Sequence, residues 1–433
     1  MSKRQMHINL FPIGCGHHQA AWRKSTSSVE RLGDISFYEE IAQIAEKGKL
    51  DAVFLADGAS VDNIENGPRW FLEPLTCIAA MARVTTHIGL ISTVSSTFFT
   101  PFHAARMLAS LDHISNGRMG WNLVTSMYDS EARNHGYQSM PSHEHRYKRA
   151  EEFAETVLQL WDSWPSKALK MDRNGKYADL SMMKKINHEG DYFLVDGPLI
   201  TPQPPQGYPV LFQAGASEYG RQLAAKHAEA IYAVAYDLES AQRYYKDIKR
   251  RVRKAGRSDK VPILPGLVTY VASTEAEAQA KRRELDELLP TTTSLQQLEM
   301  YIFQDCSNWD LDAPVPELPP LNEFKGPKGR YSTILRIIES EKPTLRELLG
   351  RLAAGGGHCT MIGTPDQIAD QMELWFLNEG ADGFNLMPPS LPDSVEDFIE
   401  FVVPELQKRG LFRHEYEHKT LRGHLGLKRP LER

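Results

Sequence analysis

Residues 103–126, HAARMLASLDHISNGRMGWNLVTS, predict a helix that leads directly into a strand. The helix begins near His103 and ends near Ser115-Asn116-Gly117, where a glycine is a typical stop signal. The strand covers residues 119–126 and ends in the polar pair Thr125-Ser126. Helices that connect successive strands in this way are typical of parallel sheets.

The same unit recurs along most of the chain. Apolar stretches predict strands at 7–11, 51–57, 88–95, 119–126, 209–215, 230–236, 261–272 and 383–387. Amphipathic patterns predict helices at 37–48, 103–115, 143–161, 217–227, 238–254, 274–289, 364–378 and 394–409. This alternation favours a (β/α)8 TIM barrel over an open doubly wound sheet. No GxGxxG follows the first strand, which further disfavours a Rossmann fold.

Three stretches interrupt this repeat, at residues 58–73, 162–208 and 290–357. The last contains the proline-rich run APVPELPP at 313–320 and ends in three glycines at 355–357. Long irregular segments in a compact domain are commonly functional lids. We therefore predict one barrel domain over residues 1–433, with these stretches as insertions and the last of them over the carboxyl-terminal face.

Composition excludes several classes of protein. The chain has 433 residues, and 41% of them are hydrophobic, which is enough for a sizeable core. Its net charge is -6, so it lacks the excess of basic residues that is typical of nucleic-acid-binding proteins. None of the four cysteines forms a CxxC pair, which indicates free thiols in a reducing compartment. No stretch reaches the roughly eighteen apolar residues of a membrane span. We expect a cytoplasmic protein.

Polar residues stand at the ends of four predicted strands. Asp57, Thr93 and Asn122 end strands two, three and four, and Gln213 ends strand five. In a TIM barrel the carboxyl ends of the strands form the active site. Any one of these residues could serve only as a helix cap, but four in series favour a shared polar pocket.

Two further patterns point to an anion or a shared ligand. Gly215-Ala216-Ser217 precedes a predicted helix, whose free N–H groups suit a phosphate, although an ordinary strand-to-helix turn explains it equally well. His143 and Tyr147 share one helical face and could meet one ligand, or could simply belong to a solvated helix start.

A formal metal motif occurs near the end of the chain. Residues 414–418, HEYEH, match the HExxH pattern of zinc proteases. They lie in a strongly charged stretch after the last predicted core helix, so we expect residues 410–433 to form a solvated tail. We predict no metal site.

Together these motifs resemble the bacterial-luciferase-like, flavin-dependent monooxygenases, in the branch of nitrilotriacetate, dibenzothiophene-sulfone and long-chain alkane monooxygenases. The main motifs are FLAD at 54–57, STVSST at 92–97, NGRMGWNLVTS at 116–126, HEHRY at 143–147 and FQAGAS at 212–217. Weaker ones are GTP at 363–365, GFN at 383–385 and VPELQKRGL at 403–411, so that the resemblance spans nearly the whole chain.

The resemblance implies the oxygenase component of a two-component system. Reduced FMN would come from a separate NAD(P)H-dependent flavin reductase and would react with O2 to a C4a-(hydro)peroxide that oxygenates a small organic substrate. A homo-oligomer, dimer or tetramer, is also expected. The alternatives are a deazaflavin-dependent dehydrogenase of the same superfamily, a flavin-binding subunit without catalysis and, with little support, a metal-dependent barrel hydrolase.

The resemblance also assigns residues to the cofactor. It places Asp57, Thr93 and Asn122 beside the flavin rings and ribityl chain, and His143, Tyr147, Gly215 and Ser217 around the phosphate. It places Cys15 and His17 near the pocket, so that the catalytic candidates are Cys15, His17 and His143.

Overall fold

All eight predicted strands recur, with bounds that differ by at most three residues, in a computed structural model. The structure describes residues 4–61, 64, 67–68, 72–257, 260–324 and 328–430. The strands in these ranges are β1 (His7–Leu10), β2 (Ala52–Leu55), β3 (Gly89–Ser95), β4 (Met119–Val124), β5 (His188–Glu189), β6 (Leu194–Val195), β7 (Val210–Gln213), β8 (Ala230–Ala233), β9 (Ile263–Val271), β10 (Cys359–Gly363) and β11 (Gly383–Leu386).

Eight parallel strands close into a ring. Their order is β1, β2, β3, β4, β7, β8, β9 and β11, and β11 pairs with β1 to complete the barrel. The predicted (β/α)8 barrel is thereby confirmed. An additional parallel strand, β10, pairs with the second half of β9, and the sequence does not predict it. The short strands β5 and β6 form a separate antiparallel hairpin.

Helices follow the strands and cover the outside of the barrel. They are α1 (Ile35–Lys47), α2 (Pro74–Val84), α3 (Pro101–Ile114), α4 (Asp129–Asn134), α5 (His143–Asp162), α6 (Glu218–His227), α7 (Leu238–Lys254), α8 (Glu275–Glu287), α9 (Thr291–Ile302), α10 (Lys328–Glu341), α11 (Leu345–Ala353), α12 (Pro365–Leu377), α13 (Asp393–Asp397), α14 (Val403–Lys408) and α15 (Leu421–His424). The predicted helix at 394–409 is split by a π-helical turn, Phe398–Val402. Pro404, which has no N–H to donate, is the second residue after that turn.

Side chains alternate between the two faces of each barrel strand, so two apolar layers form. The larger one joins the strands to the surrounding helices, as Ile8 and Leu10 of β1 do. The smaller one fills the barrel interior and includes Phe54 and Phe212. Among the described residues, no helix is long and apolar enough to span a membrane.

The end of the chain folds back under the barrel. Leu421 and Leu425 are buried in the interior cluster, and Leu421 lies against Gly89 and Gly120, near the amino ends of β3 and β4. Arg413 donates to the fully buried Asp51 at 2.5 Å. The prediction of a solvated tail is therefore wrong for this stretch, because its few apolar residues close the amino-terminal opening of the barrel.

The insertion at 290–357 contains helices α9, α10 and α11, which build their own apolar cluster, although residues 325–327 lie outside the described ranges. It contacts segments that follow the carboxyl ends of β1 and β8. Gln19 Nε2 donates to Gln297 Oε1 at 2.5 Å, and Arg336 forms an ion pair with Asp237 at 3.0 Å.

The other two insertions lie elsewhere. The insertion at 162–208 runs along α5, where Phe193 packs on Phe153. Within 58–73, residues 62–63, 65–66 and 69–71 lie outside the described ranges. The assignment of the whole chain to a single domain stays a prediction.

Candidate active site

Two neighbouring strands place a buried polar pair at the upper end of the barrel interior. Thr93 of β3 is directly opposite Asn122 of β4, and Asn122 Nδ2 donates to Thr93 Oγ1 at 3.2 Å. Only 6% of Thr93 and 3% of Asn122 is exposed. Asn122 Oδ1 is buried and has no hydrogen-bond partner among the described residues. Because such an acceptor is costly to leave unpaired, it indicates a place for a donor from a ligand.

Asp57 stands beyond the end of β2, in an exposed position. Its Oδ1 accepts a hydrogen bond from the Gly58 amide at 2.9 Å. Although the residue is exposed, the protein around its carboxylate removes part of the hydrating water and raises the pKa of Asp57, and the nearby carboxylates of Glu73 and Glu131 raise it further. The side chain is therefore poised to exchange a hydrogen bond with a ligand at the mouth of the barrel.

The loop after β7 forms a narrow turn into α6. Ser217 caps the helix by accepting from the Gly220 amide at 3.2 Å. A Cβ on Gly215 would lie 2.7 Å from Gly220 Cα and 3.0 Å from Tyr147 Oη, so only glycine fits here. Gln213 Oε1, beside this turn, is buried without a hydrogen-bond partner in the described part of the chain. Helix start, glycine and hydroxyl together form the kind of turn that binds phosphates.

The first turn of α5 faces the same loop. The rings of His143 and Tyr147 are 4.8 Å apart, and Tyr219 of α6 lies 5.4 Å from His143 and 6.2 Å from Tyr147. His143 is exposed, whereas Tyr147 is half-buried with its hydroxyl towards Gly215. The structure thus brings His143, Tyr147, Gly215 and Ser217 into one group.

Cys15 and His17, which follow β1, occupy different surroundings. Cys15 is buried in the outer apolar layer, and burial raises the pKa of its thiol. The His17 ring lies edge-on to Phe11 at 4.7 Å, with Nε2 2.7 Å from the Phe11 carbonyl oxygen. Because a carbonyl only accepts, His17 Nε2 carries a proton. Only His17 of the two faces the aromatic side chains of the barrel interior.

The sequence does not predict an aromatic group that lies beneath the mouth of the barrel. Phe11, Phe54 and Tyr232 lie within 5.9 Å of one another by ring centroids, and His358 stacks on Tyr232 at 5.5 Å. His358 Nε2 is 3.1 Å from the Tyr232 hydroxyl. Burial, with a smaller effect from the charge of His17, lowers the pKa of His358 to about 3 and keeps the ring neutral. Tyr232 and His358 are 126 positions apart, so no local motif joins them.

Groups of metal-binding type lie away from this mouth. In the described part of the chain, Glu151, Glu155 and His227 are the one set of three such side chains within 4.8 Å, on α5 and α6. Glu151 is already paired with Lys226. His414 and His418 are exposed and lie in an irregular segment, so they do not share the helical face that an HExxH site requires.

Comparison with known proteins gives a consistent result. The model of the luciferase-like monooxygenase family matches residues 11–382. Nitrilotriacetate monooxygenase component A of Aminobacter aminovorans is 45% identical over 99% of this chain and 98% of its own length. N-acetyl-S-(2-succino)cysteine monooxygenase of Bacillus subtilis is 44% identical over 100% of this chain and 98% of its own length.

Solved structures agree with the sequence comparison. The crystal structure of a riboflavin lyase with modified FMN and the substrate riboflavin has a TM-score of 0.84 to this chain. The two are 31% identical, and the similarity covers 98% of this chain and 96% of that one. The likeness therefore includes the barrel and the insertions that surround its mouth.

Proposed function

Because this chain belongs to the family of luciferase-like monooxygenases, we propose that it is the oxygenase component of a two-component flavin-dependent monooxygenase. It uses reduced FMN and O2 to oxygenate a small organic substrate. A separate NAD(P)H-dependent flavin reductase supplies the reduced FMN, and the protein works in the cytoplasm as a homo-oligomer. The relative named component A supports the two-component arrangement, and the relative solved with modified FMN supports the cofactor.

The observation that carries this proposal is Asn122 Oδ1, a buried acceptor at the upper end of the barrel interior that has no hydrogen-bond partner among the described residues. The flavin ring system has an N–H donor that would satisfy it. Thr93 holds the amide of Asn122 through the 3.2 Å hydrogen bond, so the acceptor has a fixed position. The residues present therefore fit a flavin.

The other residues that we assign to the cofactor fall into two groups, one at the ring and ribityl chain of FMN and one at its phosphate. Asp57 lies with Thr93 and Asn122 on the side of the ring and ribityl chain. The glycine turn, with Gly215, Ser217, Tyr147 and His143, holds the phosphate. When bound, reduced FMN supplies the electrons that activate dioxygen.

The chain's own side chains exclude water and handle protons. Phe11, Phe54 and Tyr232 give the substrate an apolar floor, and the neutral His358 can exchange a hydrogen bond there without bringing a charge. His17 is the candidate for moving a proton, because it lies beside this floor. His143 acts on the phosphate side. Cys15 is the weakest of the three catalytic candidates, because a buried thiol with a raised pKa is a poor nucleophile.

Rapid mixing tests this function. The full chain is loaded with photochemically reduced FMN without oxygen and is then mixed with oxygenated buffer while flavin absorbance is followed. We expect reoxidation that is slower than that of free reduced FMN and that responds to substrate. Reoxidation at the rate of free reduced FMN would contradict an oxygenase and would support a flavin-binding subunit. Tight binding of a reduced deazaflavin in preference to reduced FMN would support a dehydrogenase.

A further inference from the structure

One arginine at the rim of the barrel has no counter-charge among the residues that the structure describes. The insertion at 290–357 has four arginines, and three of them form ion pairs: Arg336 with Asp237 at 3.0 Å, Arg346 with Asp312 at 2.9 Å and Arg351 with Glu341 at 3.0 Å. The fourth, Arg330 of α10, is exposed and has no carboxylate partner within the described ranges.

The Arg330 guanidinium is nevertheless fixed. It lies over the ring of Tyr301 at 4.9 Å, and its Nη1 donates to the Tyr301 hydroxyl at 3.3 Å. The guanidinium also lies beside Gly356, whose φ of +58° favours glycine at that turn. A solvated surface arginine does not need this aromatic support. The arrangement therefore holds a cation ready for an anion.

Its position connects the insertion to the barrel mouth. The Tyr301 hydroxyl also accepts from Gln297 Nε2 at 2.8 Å, and Gln297 in turn accepts from Gln19, in the loop after β1. On the other side, Gly356 is two residues before His358, whose ring stacks on Tyr232. The charge of Arg330 contributes to the low pKa of His358, after burial and the charge of His17. The exposed guanidinium thus lies at the rim, next to segments that lead to Gln19 and to His358.

Resting on the proposed function, we propose that Arg330 binds a carboxylate of the substrate and that the substrates are small organic carboxylates. A guanidinium presents two parallel N–H donors that match the two oxygens of a carboxylate. The anionic end lies at Arg330, and the part that is oxygenated lies over Phe11, Phe54 and Tyr232. The paired arginines of the insertion take no part.

Calorimetric titration of the full chain tests this assignment without any turnover. The probes are tricarballylate and nitrilotriacetate, each with its uncharged triamide, in metal-free buffer. We expect the chain to bind at least one of the two carboxylates and neither triamide. Arg330→Gln should weaken carboxylate binding roughly tenfold to a hundredfold, and Arg330→Lys should lose less.

Arg346→Gln is the matched control, because it removes the same charge from the same insertion and leaves Arg330 in place. Equal losses in both variants, or no carboxylate binding by the unaltered chain, overturn the proposal. Weaker FMN binding by Arg330→Gln with unchanged carboxylate binding also overturns it, because the arginine would then serve the cofactor phosphate. If carboxylates bind as expected but bound reduced FMN reoxidises at the rate of free reduced FMN, the proposed function is contradicted and the carboxylate site is not.

Discussion

Tyr147 is the side chain whose substitution best tests phosphate binding without disturbing the backbone of the glycine turn. Its hydroxyl lies beside Gly215, yet Tyr147→Phe leaves the ring and the turn unchanged. A substitution of Gly215 is a poorer probe, because any Cβ would press on Gly220. We expect Tyr147→Phe to weaken FMN about tenfold or more, since a hydrogen bond to a charged group contributes roughly 1.5–3 kcal/mol. Riboflavin, which has no phosphate, should bind as before.

Fluorescence titration with both flavins measures this difference. Tyr219→Phe is the matched control, because Tyr219 belongs to the same aromatic group but its hydroxyl contacts Glu144. Asn122→Ala should instead weaken FMN and riboflavin equally, because the proposed function places Asn122 at the ring end of the flavin. Equal loss of the two flavins in Tyr147→Phe would place the phosphate elsewhere.

Residues next to one another in the sequence could be predicted as a site, and residues brought together from a distance could not. Thr93 and Asn122 end adjacent parallel strands, so barrel topology alone places them side by side. Tyr232 lies inside a strand and His358 follows a run of glycines, and nothing in either local pattern indicates their contact. Cys15 was a catalytic candidate by resemblance, but its burial could not be known from the sequence.

At the level of secondary structure, the short helix α15 acts as the lower plug of the barrel. Leu421 is fully buried against the first residues of β3 and β4. We expect Leu421→Ala to lower the free energy of unfolding by about 2–5 kcal/mol, because it leaves a cavity in the barrel interior. Lys419→Ala, on an exposed neighbour, should change it by less than about 0.5 kcal/mol. Urea unfolding measures the stability of both variants. A loss in Leu421→Ala as small as that in Lys419→Ala would show that the barrel does not need α15 for its stability.

The same plug should make stability depend on pH. Burial lowers the pKa of His424 to about 4, and its Nε2 donates to the His87 carbonyl at 2.8 Å. The same histidine in the unfolded chain has an ordinary pKa of about 6.5, so the unfolded chain binds more protons than the folded one between pH 4 and 6.5. Stability should fall as the pH drops from about 6.5 to 4, by on the order of 3 kcal/mol for this group.

Urea unfolding at several pH values tests this dependence. His424→Gln keeps an N–H donor but does not titrate, so its stability should fall less steeply in the same pH range. His414→Gln is the control, because His414 is exposed in the same segment and is not among the groups that shift the pKa of His424. An unchanged slope in His424→Gln would show that another buried group, such as His358, dominates.

Elements with a regular period could be predicted, and elements stabilised by long-range contacts could not. The strands β1 to β4 are apolar runs or are bounded by residues that typically end a strand. Their predicted bounds lie within two residues of those in the structure. The strand β10 has only five residues after a glycine run, and it forms because β9 extends beyond the barrel to pair with it. Helices α9 to α11 lie among prolines and pack mainly on one another, so they do not continue the repeat.

For the whole molecule, the proposed function gives the flavin site to the barrel and the surroundings of the substrate to the insertions. No dinucleotide-binding glycine loop occurs in the sequence, so the chain should lack an efficient source of hydride. With NADH, FMN and substrate, the purified chain alone should form little product. An added flavin reductase, even from an unrelated system, should restore turnover, because free reduced FMN can diffuse between the two proteins.

Isotope labelling decides whether the restored turnover is an oxygenation. Photochemically reduced FMN should replace both NADH and reductase for a single turnover, because the chain needs only the reduced cofactor. That turnover should consume O2 and put one of its two atoms into the product, which mass spectrometry reports with labelled oxygen. Rapid NADH oxidation by the chain alone would contradict the two-component arrangement. Product that takes its oxygen only from labelled water would contradict a monooxygenase, because the barrel and its flavin pocket would then serve a different reaction.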